Sequence, residues 1–187
     1  MEVKTVYFSS PGSGNTDEVL RIARQRAEEL GVKTVLVAST TGDTAAKAAD
    51  LFTGVKVIAV SHSAGFRESD TQEFSEENRK LVEGKGGTVL TTTHAFAGVS
   101  RAMRKKFTTH VIGDVIANTL RIFGEGVKVV CEIAIMAADS GLARTDEDVI
   151  AIAGTSRGAD TAVVLRPVNS QDFFDLKIKE VLCKPRF

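Results

Sequence analysis

Two histidines occupy matched surroundings. His62 and His94 each follow an apolar, strand-like run and sit among hydroxyls and glycine, in Ser61-His62-Ser63-Ala64-Gly65-Phe66 and Thr91-Thr92-Thr93-His94. An imidazole in such a place can hydrogen-bond a ligand or move a proton near neutral pH. Taken singly, each reads first as a loop histidine bonded to backbone, the more common case; their parallel placement makes them candidates. If the site carries chemistry, His94 is the expected proton donor or orienter. His110 has no supporting neighbours and is expected to be structural. A metal site from His62, His94 and a carboxylate such as Glu132 or Asp139 lacks any ligand-spacing motif, and none is expected.

Two further loops are built of residues that suit a phosphate, Ser9-Ser10-Pro11-Gly12-Ser13-Gly14-Asn15-Thr16 and Ser39-Thr40-Thr41-Gly42-Asp43-Thr44. Glycine lets backbone approach the ligand, hydroxyls donate, and a following helix presents unpaired N–H groups with positive dipole character. Local charge separates the two. The first helix opens with Asn15, Asp17 and Glu18, a side-chain cap and two carboxylates that repel a dianion, whereas the second opens with Asp43 and carries Lys47. The phosphate is therefore expected on Ser39, Thr40, Thr41, Gly42 and Thr44, and enlarging or acidifying Thr41 and Gly42 should abolish binding without disturbing the fold. Three charge-assisted hydrogen bonds at ~1.5 kcal/mol each give ~4.5 kcal/mol, about millimolar affinity. Useful binding thus needs a ring or sugar that reaches the neighbouring strand ends, lined by His62, Ser63, Gly65, Phe66, Thr93 and His94.

The elements that must position these residues alternate between apolar runs and amphipathic helical patterns, which indicates a mostly parallel sheet wrapped by helices. Ligands of such sheets sit at the carboxyl ends of the parallel strands. Strands are expected at Val3–Phe8, Thr34–Ala38, Val55–Val60 and from Thr88. Helices are expected from Asn15 to Leu30, Thr44 to Phe52 and Thr71 to Glu83, with Asn15 and Glu18 as a helix-start box. Val99, Met103 and Phe107 mark a further helical face, and Arg101, Arg104, Lys105 and Lys106 on that helix read as a solvated basic face. Val115, Ile116, Thr119, Leu120 and Phe123 mark another. Arg121 reaches either a ligand phosphate or Glu132. Val127–Cys131 reads as a buried strand, and Glu132–Ala138 fits its continuation or a helix equally. Val149–Ala153 and Thr161–Leu165 are expected to pair antiparallel, with Asp160 and Thr161 as turn and strand-start residues, and a C-terminal helix is expected over Gln171–Leu182. The fold class is therefore α/β, a three-layer α/β/α arrangement with a mostly parallel sheet and a C-terminal antiparallel strand or hairpin, as one domain over residues 1–187.

Composition bounds the rest. With 187 residues the chain is too short for a closed eight-fold β/α barrel of ~250 residues. Its 24 basic and 24 acidic side chains cancel, which argues against nucleic acid as a partner. Cys131 and Cys183 form no Cys-x-x-Cys pair, and no signal core or membrane-length apolar run is present, so a reduced, cytoplasmic protein is expected. No Ser-His-Asp elbow, Walker loop or dinucleotide fingerprint is found.

"LVASTTGDTAAKAADLF", "VKVIAVSH" and "DVIAIAGTSRGADTAVVLRP" resemble the C-terminal α/β domain of pyruvate kinases. That resemblance implies a pyruvate kinase C-terminal domain-like fold, with Ser39–Thr44 and Gly154, Thr155 and Gly158 as phosphate-facing segments. The chain is identified further as a member of a stand-alone, mostly archaeal family of such domains by "YFSSPGSGNTDEVL", "VASTTGDTA", "VSHSAGF", "TTTHAFAGVSRA", "IANTLRIFGEGVKVVCEIAIMAADSGL" and "IAGTSRGADTA". This implies FMN as cofactor, no pyruvate kinase activity, and no defined reaction. "YFSSPGSGNTDEVL" is also similar to the FMN-phosphate loop of flavodoxins. That likeness implies an electron carrier or NAD(P)H-dependent flavin oxidoreductase with the phosphate on Ser13, Gly14, Asn15 and Thr16. A small phosphorylated ligand, FMN, is the expected partner; neither nucleic acid nor membrane is, and assembly into a homo-oligomer is left open.

Overall fold

The computed structural model describes residues 2–187. In chain order the elements are β1 (Val6–Phe8), a 3-10 turn (Ser13–Asn15), α1 (Thr16–Leu30), β2 (Thr34–Ala38), α2 (Asp43–Leu51), β3 (Lys56–Ser61), α3 (Glu76–Gly84) and β4 (Thr88–Thr91). The second half follows as α4 (Gly98–Phe107), α5 (Ile112–Arg121), α6 (Glu125–Asp139), β5 (Val149–Ala153), β6 (Thr161–Arg166), a 3-10 segment (Ser170–Asp175) and β7 (Lys177–Pro185). One seven-stranded sheet runs β1-β7-β6-β5-β2-β3-β4. β5, β2, β3 and β4 are mutually parallel, β6 is antiparallel to both β5 and β7, and β1 is parallel to β7.

Side chains alternate across the sheet and build two cores. Val35, Val37, Ile150 and Ile152 face α1 and α2, packing on Val19, Ala23, Ala48 and Phe52. Leu36, Ile58, Ala151 and Val163 face α6, packing on Val130, Ala134 and Ile135. A smaller cluster seats α3 through Phe74 and Val82 against Ala45 and Ala59. The result is the expected three-layer α/β/α arrangement. Parallel strands buried on both faces read as unbroken apolar runs, and β2, β3 and β5 are legible for that reason.

Two expected elements differ. Val127–Cys131 belongs to α6 with Glu132–Ala138, because α6 is buried on nearly every side. Burial all round removes the polar face that gives a helix its 3.6-residue signature. The expected helix over Gln171–Leu182 is the 3-10 segment followed by β7. The charged pattern Lys177-Ile178-Lys179-Glu180 hides an inner strand because Arg26 of α1 reaches across and grips Glu180 in a fork at 2.7 and 2.8 Å. The helix-start box at α1 is also absent. Asn15 Nδ2 donates instead to the Ser10 and Gly12 carbonyls.

Candidate functional site

A cleft of about 790 Å³ opens over the carboxyl ends of β2, β3, β4 and β5. The sheet brings together on its wall Ser39, Thr40, Thr41, Thr44, His62, Phe66, His94, Gly154 and Gly158. Ser13 and Thr16 of the first loop border it too, so the two phosphate candidates are neighbours around one opening. Gly42, Ser63, Gly65, Thr93 and Thr155 do not line it.

Gly42 has φ +101°, and a Cβ there would lie 2.4 Å from Asn78 Cβ and 2.8 Å from the Phe74 ring. A larger residue at 42 therefore pushes α2 from α3, which corrects the expectation of a fold-neutral test at that position. Gly65 and Ser63 shape the turn that carries Phe66, through Gly65 N–H to Thr71 O and Phe66 N–H to Ser63 O. Thr93 is exposed and packs its methyl group toward Gly98.

Most hydroxyls of the Ser39–Thr44 loop are already engaged. Ser39 Oγ accepts the Ala45 N–H at 3.4 Å, Thr41 Oγ1 donates to Asp43 at 2.8 Å, and Thr40 Oγ1 lies 3.5 Å from His62 Nε2. Hydrogen bonds from Thr41 and Asn78 hold the Asp43 carboxyl below its ordinary range against a small effect of burial, helped by Arg157. Lys47, which distinguished α2 from α1 by charge, is paired with Asp17 at 2.7 Å. The contrast between the two helix starts is thus neutralised by an ion pair linking them.

The third loop holds the opening together. Asp160 is fully buried; its Oδ2 accepts the N–H groups of Gly12 at 2.9 Å and Thr155 at 3.0 Å, and its Oδ1 accepts from Thr161 Oγ1 at 2.8 Å. Ala159 N–H donates to Thr16 Oγ1 at 3.0 Å, and Gly158, at φ +72°, leaves no room for a Cβ, which would meet Thr16 Oγ1 at 2.4 Å and Ser13 Cα at 2.6 Å. Gly158→Ala is expected to lower stability by about 2 to 3 kcal/mol, since the backbone strain and the clash add. Urea unfolding checks this, and an unchanged midpoint would contradict the close approach. Asp160 is thus more than the turn residue its sequence position suggests; the signal for this role is an acid between Ala159 and Thr161 in a segment of apolar strand pattern.

At the other end, each histidine faces a carboxylate. His62 Nδ1 bonds Glu73 at 2.6 Å, which leaves Nε2 toward Thr40 and the cleft. Glu73 also pairs with Arg67 at 2.9 Å. His94 Nδ1 lies 3.8 Å from Glu132 Oε2. Glu132 is buried on α6, pairs with Lys128 one turn earlier, and accepts the Phe96 N–H at 3.0 Å. Burial would raise its carboxyl, but the nearby His94 ring, the hydrogen bonds from Lys128 and Phe96 and the Lys128 charge prevail and lower it to about 2. Arg121 pairs with Glu125 at 2.6 Å, not with Glu132. The face carrying Arg101 and Arg104 is no freely solvated surface: Arg101 covers the Phe66 ring at 4.3 Å and Arg104 pairs with Asp114. Lys105 and Lys106 are exposed as expected, and so are the apolar Val99, Met103 and Phe107 of α4. His110 is exposed. Both cysteines are buried and free, and burial pushes each thiol up to about 12.

Residues 17–165 match the family described as pyruvate kinase, alpha/beta domain. The chain belongs to that family. Among solved structures, this pyruvate kinase α/β domain is similar to two of pyruvate kinase from Cryptosporidium parvum, each at 14% identity. One match covers 82% of this chain and 23% of that one at a TM-score of 0.45; the other covers 85% and 23% at 0.44. The domain thus spans 23% of the length of those kinases. No helix among its described residues is long and apolar enough to cross a membrane.

Proposed function

We propose that this domain binds a phosphorylated ring cofactor, FMN, along the strand ends, with the phosphate between the Ser39–Thr44 and Gly154–Gly158 loops and the ring beside His62 and His94. The observation that carries the reading is the pair of buried side-chain polar atoms without a hydrogen-bond partner among the described residues, His94 Nε2 and Thr155 Oγ1. Buried polar atoms are nearly always bonded, and an exception calls for an explanation such as a bound water, ion or ligand group. His94 lines the cleft after β4, and Thr155 belongs to the loop after β5, between the lining residues Gly154 and Ser156. β4 and β5 are separated by β2 and β3, so three strand spacings, about 14 Å, lie between them. A free phosphate or small phosphate ester is too short to satisfy both; a ring joined to a phosphate through an extended chain has the required form.

The phosphate transfer of whole pyruvate kinases is not assigned to these residues, which contain no barrel. The second reading, a flavodoxin-like carrier or flavin oxidoreductase with the phosphate on Ser13–Thr16, draws support from Ser13 and Thr16 on the cleft wall. It is the weaker reading because Thr16 Oγ1 already donates to Ser13 O and accepts from Ala159, and Asp17 and Glu18 crowd the same helix start.

Colour supplies the test. The protein mixed with FMN and desalted is expected to retain the flavin's visible absorbance; a colourless eluate together with no saturable binding would remove FMN. With bound flavin in hand, reduction by NADH or NADPH at a useful rate supports the oxidoreductase, and inertness to both supports a binding or sensing module.

A further inference from the structure

Phe66 sits where a ligand ring would be held best. Its ring is nearly parallel to the His94 imidazole, with centroids 4.9 Å apart and planes 15° from each other. The His62 ring is 4.1 Å away, and the Arg101 guanidinium lies 4.3 Å over the ring while donating to Phe66 O at 3.0 Å. Flat rings gain from stacked neighbours and from cations over their faces. Phe66 nevertheless belongs to none of the three hydrophobic cores. It hangs from the loop between β3 and α3, outside regular structure.

One mismatch singles out this ring. His94 Nε2 is buried and unpartnered, while its ring stacks on phenylalanine, a side chain with neither donor nor acceptor. Nδ1 lies 3.8 Å from Glu132 Oε2, which leaves Nε2 as the ring nitrogen without a protein group facing it. A heteroaromatic ring in the place of Phe66 would keep the stacking on His94 and bring polar edge atoms into the slot.

Resting on the reading of the cleft as a site for a phosphorylated ring, we infer that Phe66 is a stand-in for the ligand ring, expelled when the ligand binds, and that Arg101 and His94 form the slot that selects a planar heteroaromatic ring. Phe66 is then a competitor for the slot, not part of its wall. Arg101, read from sequence as a solvated surface residue, becomes a specificity-determining contact.

The sign of one substitution separates these roles. FMN is titrated into wild type, Phe66→Ala, Arg101→Met and the double variant, with circular dichroism confirming the fold of each. Phe66→Ala is expected to bind FMN about five- to tenfold more tightly, because stacking and cation–π contacts of roughly that worth no longer have to be displaced. Arg101→Met is expected to weaken FMN at least fivefold in the Phe66→Ala background, where only the ligand remains to occupy the slot. Binding seen in Phe66→Ala alone would equally support a stand-in. Weaker or unchanged binding on removal of Phe66, with wild type binding FMN, would overturn the slot while leaving the FMN reading intact. Absence of FMN binding in both wild type and Phe66→Ala would overturn the FMN reading and this inference together.

Discussion

Asp160→Ala is expected to cost about 4 kcal/mol of folding stability, since three hydrogen bonds to one buried carboxylate are lost, two from half-buried N–H groups and one from the buried Thr161 hydroxyl. The Gly12 and Thr155 N–H groups lose their acceptor together, so the first loop and the Gly154–Gly158 loop come apart in one step. FMN binding is expected to vanish with them. Asp160→Asn keeps an amide oxygen for the two N–H groups and an amino group for Thr161, and should retain most of the stability. Urea unfolding of the two variants checks this; equal losses in both would show that charge, not loop geometry, is what the position supplies.

The second large effect lies at Glu132. Glu132→Ala leaves Lys128 buried without its partner, a change worth about 3 to 5 kcal/mol. Replacing both residues by apolar side chains of similar size should recover much of the loss, because the desolvation penalty disappears with the charges. The pH dependence has a defined sign. The Glu132 carboxyl is lowered from 4.5 to about 2 in the fold, so its contribution is complete above the unfolded value and is lost as pH falls between the two. That contribution is about 3 kcal/mol at 1.36 kcal/mol per pH unit. Urea midpoints between about pH 2 and pH 5 should fall steeply in wild type and less so in Glu132→Gln. Parallel slopes would contradict a depressed carboxyl at this position.

Strand ends were the legible part of this protein. β2, β3 and β5 are apolar on both faces, and the polar loops that follow them could be read directly as cleft-lining segments. The partners of those loops were not legible. Glu73 reaches His62 from a loop eleven residues later, and Asp160 reaches Gly12 across most of the chain; such contacts are set by sheet order, which local pattern does not reveal. Lys128 and Glu132 left a trace as two charges one turn apart in an apolar run, but that trace is readable only once α6 is known to be a helix. β7 was obscured by the opposite circumstance, a charged strand whose Glu180 is satisfied from α1.

The affinities of FMN and riboflavin for wild type and Thr155→Val test the phosphate site most directly. Valine keeps the shape of threonine and removes the unpartnered hydroxyl. FMN is expected to bind wild type more tightly than riboflavin and to lose about ten- to a hundredfold in the variant, as loss of a hydrogen bond to a charged group implies, while riboflavin is unaffected. Equal binding of FMN and riboflavin to wild type, or an unaltered FMN affinity in Thr155→Val, would contradict a phosphate held at the Gly154–Gly158 loop.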